Sequence, residues 1–159
     1  MKRLFSLIFS FVLVLVLPFN VLAIANSNEN TILASVEYFD DGSYITTTIT
    51  EEENYYSTYA TTTKNGSKTS TYTGSDGEVK WSATLHGTFT YTGSSSTCTS
   101  SSITYSSSDS DWRITSATSS KSGNKAIGDV TAKQYVLGIP LKTINETITL
   151  TCSANGTLS

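Results

Sequence analysis

Apolar and polar residues alternate along much of this chain, most clearly between Glu78 and Thr92. In that segment one parity carries the polar side chains, and the other carries Val79, Trp81, Ala83, Leu85, Phe89 and Tyr91. Because successive side chains of a strand point to opposite faces, this pattern predicts a β-strand with one buried face. Residues 143–152 repeat the alternation, which places Cys152 among the inward-facing positions.

Short clusters of turn-forming residues separate the segments of strand length. Examples are Asp40-Asp41-Gly42, Asn65-Gly66 and Ser122-Gly123-Asn124. Such spacing is typical of an antiparallel sandwich or barrel. Residues 57–73 are polar on both parities, and Asn-Gly is a strong hairpin signal, so this segment predicts an edge or protruding hairpin folded about Asn65-Gly66.

The pattern as a whole predicts one all-β domain, an antiparallel β-sandwich, over residues 36–159. Its predicted core consists of apolar residues from the successive strands. The members are Val79, Trp81, Leu85, Phe89, Tyr91, Ile103, Trp112, Ile114, Val130, Val136, Ile148 and Leu150.

The first 25 residues follow a different pattern, that of a secretory signal peptide. Lys2 and Arg3 precede an apolar run at residues 4–17, and the small residues of Ala23-Ile24-Ala25 follow a polar break. We expect cleavage after Ala25, with Ala23 as the alternative. The run is shorter than the roughly 20 residues that span a bilayer, so we expect no stable membrane anchor after cleavage. Residues 26–35 predict a flexible polar leader.

Composition supports a secreted β protein and excludes several partners. Ser and Thr occupy 53 of 159 positions, and β-branched Thr suits strands better than helices. A mucin-like stalk is a poor alternative, because the chain has only two prolines. Residues 26–159 hold 8 basic and 13 acidic side chains, a formal charge of −5, which disfavours nucleic acid and anionic lipid as partners.

The two cysteines, Cys98 and Cys152, both lie in the exported part of the chain. An oxidising compartment permits a structural disulfide between them, closing a loop of about 55 residues and contributing on the order of 4 kcal/mol. In a reducing setting they would instead be buried as small hydrophobic residues. Two thiols and one distant His do not complete a zinc site, so we expect no metal and no cofactor.

Cys98, Trp112 and Cys152 resemble the Cys, Trp, Cys pin of immunoglobulin-like sandwiches, in which an indole packs on an intersheet disulfide. The resemblance implies an immunoglobulin-like β-sandwich. Leu150 departs from it, because it stands where that family has its corner tyrosine. The Ser/Thr-rich exported region is also similar to small secreted proteins of unknown function from Gram-positive gut anaerobes, which implies no catalytic motif.

Candidate chemistry is sparse. His86 is the single histidine, so a hydrolase would have to use it, yet no Gly-x-Ser-x-Gly elbow is present. Asp109 and Asp111 could contribute to a calcium site in a loop, although one Asp-x-Asp pair is common in any sequence.

The tyrosines offer a stronger hypothesis, since an exposed phenol combines an apolar ring with a hydrogen-bonding tip. We therefore expect a binding surface at Tyr55, Tyr56, Tyr59 and Tyr72. The favoured interpretation is a secreted, non-enzymatic module that binds an extracellular protein or glycan and is released or associated with the cell surface. The alternatives are a hydrolase that uses His86 and a secreted pore-forming or antimicrobial protein.

Overall fold

The computed structural model describes residues 30–52 and 61–159, together with the backbone of residues 57–58. The predicted signal peptide and its cleavage site at Ala25 lie outside this part of the chain. The described residues contain no helix that is long and apolar enough to cross a membrane. Their strands are β1 (Asn30–Tyr38), β2 (Tyr44–Glu52), β3 (Ser57–Thr58), β4 (Thr61–Thr73), β5 (Val79–Tyr91), β6 (Ser96–Ser107), β7 (Trp112–Ser122), β8 (Lys125–Val136) and β9 (Ile139–Thr151).

The described residues form two antiparallel sheets, which confirms the predicted all-β sandwich. The larger sheet has the order β1-β2-β4-β5-β6 with β3 attached to β4, and the smaller has the order β7-β8-β9. Each is a meander, because neighbouring strands in the sheet follow one another along the chain. The short β3, which precedes β4 in the chain and pairs with it, lies off this path. An immunoglobulin-type sandwich has Greek-key connections instead, so the resemblance to that family does not extend to strand order.

The core lies between the two sheets and is built mainly from β5, β8 and β9. At one end of the core, Tyr72 stacks on Trp81 with ring centroids 5.7 Å apart and contacts Trp112 at 4.9 Å. Three residues predicted for the core, Tyr91, Ile103 and Ile114, are partly buried against it. Seven are fully buried as predicted: Trp81, Leu85, Phe89, Trp112, Val130, Ile148 and Leu150.

Two residues predicted for the core are exposed. Val79 is 42% exposed and Val136 is 41% exposed. Val79 begins β5 directly after a turn, and Val136 ends β8 directly before one. At these strand ends the facing sheet no longer covers the side chain, although the alternation continues.

The hairpin predicted at Asn65-Gly66 is wrong. Strand β4 runs straight through this dipeptide, and Gly66 pairs with Glu51 on one side and with Gly87 on the other. The strand is therefore internal to the sheet. A Cβ atom at Gly66 would overlap Leu158 Cδ1 and crowd the carbonyl oxygen of Thr50, so glycine is needed here for the approach of the C-terminal segment and not for a turn.

The flexible leader predicted at residues 26–35 is also too long. Residues 30–35 belong to β1, where Ile32 pairs with Ile49 of β2. Every residue of β1 is exposed, since this strand is the edge of the larger sheet. Periodicity is weak in β1 because neither of its faces is buried. Residues 26–29 lie outside the described part.

Both cysteines are buried with free thiols in the structure, and the disulfide between them stays a prediction. Cys98 Sγ donates to the carbonyl oxygen of Ser100 at 3.2 Å, whereas Cys152 Sγ donates to that of Ser153 at 3.4 Å. Each thiol thus donates to a backbone carbonyl within two residues of its own position.

The structure does not bring Trp112 against the two cysteines, as the predicted Cys, Trp, Cys pin would require. The backbone N–H groups of Cys98 and Cys152 bond to Gly123 and Asn124, in the turn that follows β7. Trp112 begins β7, roughly 35 Å away along an extended strand. The indole therefore packs on Tyr72 at the opposite end of the sandwich.

Thiol reactivity tests the state of the cysteines. Burial raises the pKa of the Cys98 thiol and that of the Cys152 thiol, so we expect slow alkylation of the native protein near neutral pH. Both thiols should react at once in denaturant without reductant, as intact mass would show. A mass lacking two hydrogens, with no alkylation until reductant is added, would instead establish the disulfide.

The close approach at Gly66 predicts a coupled pair of substitutions. Gly66→Ala should lower the free energy of unfolding by about 1–3 kcal/mol, because the new methyl group meets Leu158. Leu158→Ala removes that obstacle, so the double variant should lose less stability than the sum of the single variants. Strictly additive losses in urea denaturation would contradict this contact.

Candidate functional site

The outward face of the larger sheet carries hydroxyl groups in register across four strands. In the central row four threonines pair in succession: Thr48, Thr69, Thr84 and Thr104. The row on one side holds Thr46, Thr71, Ser82 and Ser106. The row on the other side holds Thr50, Ser67, His86 and Ser102. We call these twelve positions the hydroxyl face.

Alternation along the strands produces this surface. The residues between its members point inward, among them Trp81, Ala83 and Leu85 of β5, which are fully buried. Burying one parity therefore leaves the other parity as a continuous outer layer. The hydroxyl face is the outer side of the strands that hold the core.

Hydrogen bonds between neighbouring strands order the hydroxyl groups. Thr69 Oγ1 lies 2.9 Å from Thr84 Oγ1, and Ser82 Oγ lies 3.0 Å from Ser106 Oγ. Threonine is also stiff at χ1 because it is β-branched. The side chains are thus held in place before any partner arrives, which reduces the entropy lost on binding.

Size and charge distinguish the hydroxyl face from the rest of the surface. With strands about 4.8 Å apart and alternate residues about 6.7 Å apart, it measures roughly 14 Å on each side. None of its twelve positions is Asp, Glu, Lys or Arg. The outer side of the smaller sheet, in contrast, carries Arg113, Lys133 and Asp129. Hydrogen bonding is therefore the main interaction that the hydroxyl face can offer.

A pair of tyrosines borders the hydroxyl face beyond its Thr46 row. Tyr38 and Tyr44 are cross-strand neighbours with ring centroids 5.6 Å apart, and Tyr38 is 74% exposed. The hydrophobic pattern of the sequence did not point to this pair. The signal was the Asp40-Asp41-Gly42 turn between them, since a hairpin closed there brings residues 38 and 44 together.

Of the four tyrosines predicted to form a binding surface, Tyr72 is the one that lies in the described part of the chain. Tyr55, Tyr56 and Tyr59 lie outside the described residues. Tyr72 is 2% exposed, so its place in a binding surface was wrong. As part of a straight β4 it points inward, and its hydroxyl receives a hydrogen bond from Lys142 Nζ at 2.7 Å.

His86 belongs to the hydroxyl face. Its Nε2 atom lies 3.2 Å from Thr104 Oγ1, and no carboxylate bonds to its ring among the described residues. A catalytic triad uses a carboxylate to orient the histidine, and this arrangement provides a hydroxyl in that place. The geometry around His86 is that of a cross-strand pair within the sheet.

The calcium candidates Asp109 and Asp111 bond within the protein. Asp109 accepts the backbone N–H of Asp111 at 2.8 Å and the ammonium of Lys80 at 3.0 Å. These two interactions lower the pKa of the Asp109 carboxyl. No group of three potential metal-ligating side chains occurs in the described part of the chain.

Lys142 joins the start of β9 to the turn between β1 and β2. Its Nζ atom donates to Asp41 Oδ2 at 2.6 Å and to the Tyr72 hydroxyl. The bond from Lys142 holds the pKa of Asp41 well below its usual range, so the pair stays charged over a wide span of pH. A cavity of about 170 Å³ lies beside it, but Tyr72 and Trp112 in its wall are almost fully covered. The cluster is best explained as a structural connection.

A second polar cluster lies between β4 and β9. Ser70 Oγ donates to Glu146 Oε1 at 3.0 Å, and Lys68 Nζ donates to the carbonyl oxygen of Thr149 at 3.0 Å. Burial raises the pKa of Glu146 and lowers the pKa of Lys68. Both shifts follow from the partial burial of these two side chains between the sheets.

The raised pKa of Glu146 predicts how the free energy of unfolding depends on pH. A carboxyl group with a raised pKa binds its proton more tightly in the folded state, so stability falls as pH rises from the ordinary value, 4.5, through the folded-state pKa. Glu146→Gln removes this loss and keeps an acceptor for Ser70. Its free energy of unfolding should exceed that of the wild type near pH 7 and approach it near pH 4. Glu78→Gln, at an exposed glutamate, is the control, and an equal effect of both substitutions would refute the prediction.

Comparisons with protein-family models, with curated proteins and with solved structures gave no match to this chain. The similarity to Ser/Thr-rich secreted proteins therefore stays a prediction. The ordered hydroxyl face and the adjacent Tyr38–Tyr44 pair provide the geometry from which a function can be inferred.

Proposed function

We propose that the protein is a secreted, non-enzymatic binding module whose hydroxyl face recognises neutral polysaccharide. The observation that supports this most directly is the uncharged, in-register array of hydroxyl groups across β2, β4, β5 and β6. Secretion is inferred from the signal-like pattern of residues 1–25.

The chemistry of the hydroxyl face favours a neutral, hydroxyl-rich partner. A charged polymer finds no counter-charge on it, and an apolar partner would leave its donors and acceptors without hydrogen bonds. A glycan can exchange hydrogen bonds with water for similar bonds with Ser and Thr. The methyl group of each threonine adds a small apolar contact.

The length of the glycan matters because each hydrogen bond contributes little to the free energy of binding. A typical net value is about 0.5–1.5 kcal/mol, so a single sugar unit would bind weakly. A polymer that crosses the roughly 14 Å face reaches several strands at once. This favours an extended chain or an insoluble glycan surface over a free monosaccharide.

The tyrosine pair supplies the apolar part of such a site. The ring of Tyr38 is largely exposed and lies against Tyr44, which keeps it at the border of the hydroxyl face. A sugar ring presents C–H groups on one side and hydroxyl groups around its rim. Tyr38 can pack on the former while the neighbouring threonines bond to the latter.

A lysine placed at the centre of the face tests the proposal. Thr84→Lys should weaken binding to cellulose or chitin at least about tenfold, equivalent to about 1.4 kcal/mol, because it adds a hydrated charge and removes a bond to Thr69. Depletion of the purified protein by each insoluble glycan would measure this. Raising the salt concentration should have little effect on the wild type, since no ion pairs are involved.

Thr118→Lys is the matched control. Thr118 is exposed on the outer side of the smaller sheet, opposite Asp129, and its substitution should leave glycan binding within about twofold of the wild type. Circular dichroism would establish that both variants are folded. The proposal fails if neither glycan binds the wild type, or if Thr84→Lys and Thr118→Lys bind equally.

A further inference from the structure

The hairpin between β8 and β9 ends in an exposed apolar tip. Leu137 is 98% exposed, and its neighbours Leu141, Ile139 and Val136 are 66%, 63% and 41% exposed. We call these four residues the apolar tip. Every residue from 136 to 141 is exposed, so no other described part of the chain covers it.

Leucine is a poor choice for this turn on local grounds. Leu137 has φ 50° and Gly138 has φ 82°, so both central residues adopt the left-handed conformation. Two-residue hairpin turns of this kind favour Asn-Gly, because asparagine tolerates positive φ better than leucine does. An apolar side chain at Leu137 thus serves neither the turn nor the core.

The base of the hairpin is firmly held. The backbone N–H of Tyr135 donates to the carbonyl oxygen of Asp111 at 2.7 Å, and the Arg113 guanidinium lies 5.2 Å from the centre of the Tyr135 ring. On the other strand, Lys142 is paired with Asp41. The apolar tip is therefore presented outward by a braced support.

We infer that the apolar tip inserts reversibly into the surface of a zwitterionic lipid bilayer. A convex tip needs a soft apolar medium or a complementary pocket, and a bilayer supplies the former. A second copy of the chain is a poorer occupant, because four side chains expose at most a few hundred Å², short of the roughly 800 Å² that each partner gives to a stable interface.

The groups around the base suit the polar region of a bilayer. Tyr135 and Lys133 lie one and three residues before the apolar tip in β8, and Arg113 of β7 pairs with Lys133. Tyrosine prefers the membrane–water interface, and long cationic side chains extend toward the headgroups. The formal charge of −5 on residues 26–159 opposes strong attraction to anionic lipid, so a zwitterionic surface is the better match.

Binding of this kind is weak. The apolar tip offers about as many side-chain carbons as one myristoyl chain, which by itself gives marginal and reversible association, with a constant on the order of 10⁴ M⁻¹. The interaction would thus concentrate the protein at a membrane without anchoring it. It does not depend on recognition of glycan by the hydroxyl face, which lies on the larger sheet.

A tryptophan reporter tests the inference. In the Leu137→Trp variant, the emission of the new tryptophan should shift to shorter wavelength when phosphatidylcholine vesicles are added. Brominated phosphatidylcholine should quench this emission. Ser94→Trp, in the exposed turn between β5 and β6, is the control and should show neither change. Trp81 and Trp112 are buried and contribute the same background to both variants.

Vesicle flotation, which needs no tryptophan reporter, completes the test. The double variant Leu137→Asp with Ile139→Asp should bind phosphatidylcholine vesicles at least about tenfold more weakly than the wild type, and added salt should not reduce wild-type binding. The inference is overturned if the wild type does not float with the vesicles or if only anionic vesicles bind. It is equally overturned if the double variant instead abolishes a dimer detected by sedimentation.

Discussion

Packing of a narrow three-stranded sheet over strands β4, β5 and β6 of a wider six-stranded sheet is the constraint on which this structure depends. Strand β8 lies over β5 and β6, and β9 lies over β4 and β5. Within the described residues, β1 contacts only its neighbour β2. Inward-pointing side chains, such as Trp81, Leu85 and Ile148, are buried where the sheets overlap. Where the sheets do not overlap, side chains on the same face of a strand are exposed to water.

Burial on one side makes the hydroxyl face possible. Once the inward parity of β4, β5 and β6 has been filled, the outward parity has little influence on the core. Its side chains can be uncharged and polar because cross-strand hydrogen bonds, such as that between Thr69 and Thr84, give the sheet some support from outside. The proposed binding surface and the core thus share the same strands.

The two ends of the sandwich are held in different ways. At one end the buried cysteines and the C-terminal segment close over the turn between β7 and β8, and Leu158 occupies the space above Gly66. At the other end charged pairs such as Asp41–Lys142 connect the turns, and the apolar tip projects beside them. The proposed glycan and lipid contacts therefore use separate surfaces, which a single rigid domain can present together.

Period-two alternation is a local property of the chain, so it was enough to predict the all-β class, the strand at residues 78–92 and most of the core. It could not determine which strands lie opposite each other. Asn65-Gly66 has the composition of a turn, yet Leu158, 92 positions away, gives Gly66 its role in a straight strand. Only the tertiary structure showed that Tyr72 is inside, that Val79 and Val136 are outside and that the hydroxyl rows are in register. Register and coverage depend on contacts between distant segments, which no local pattern records.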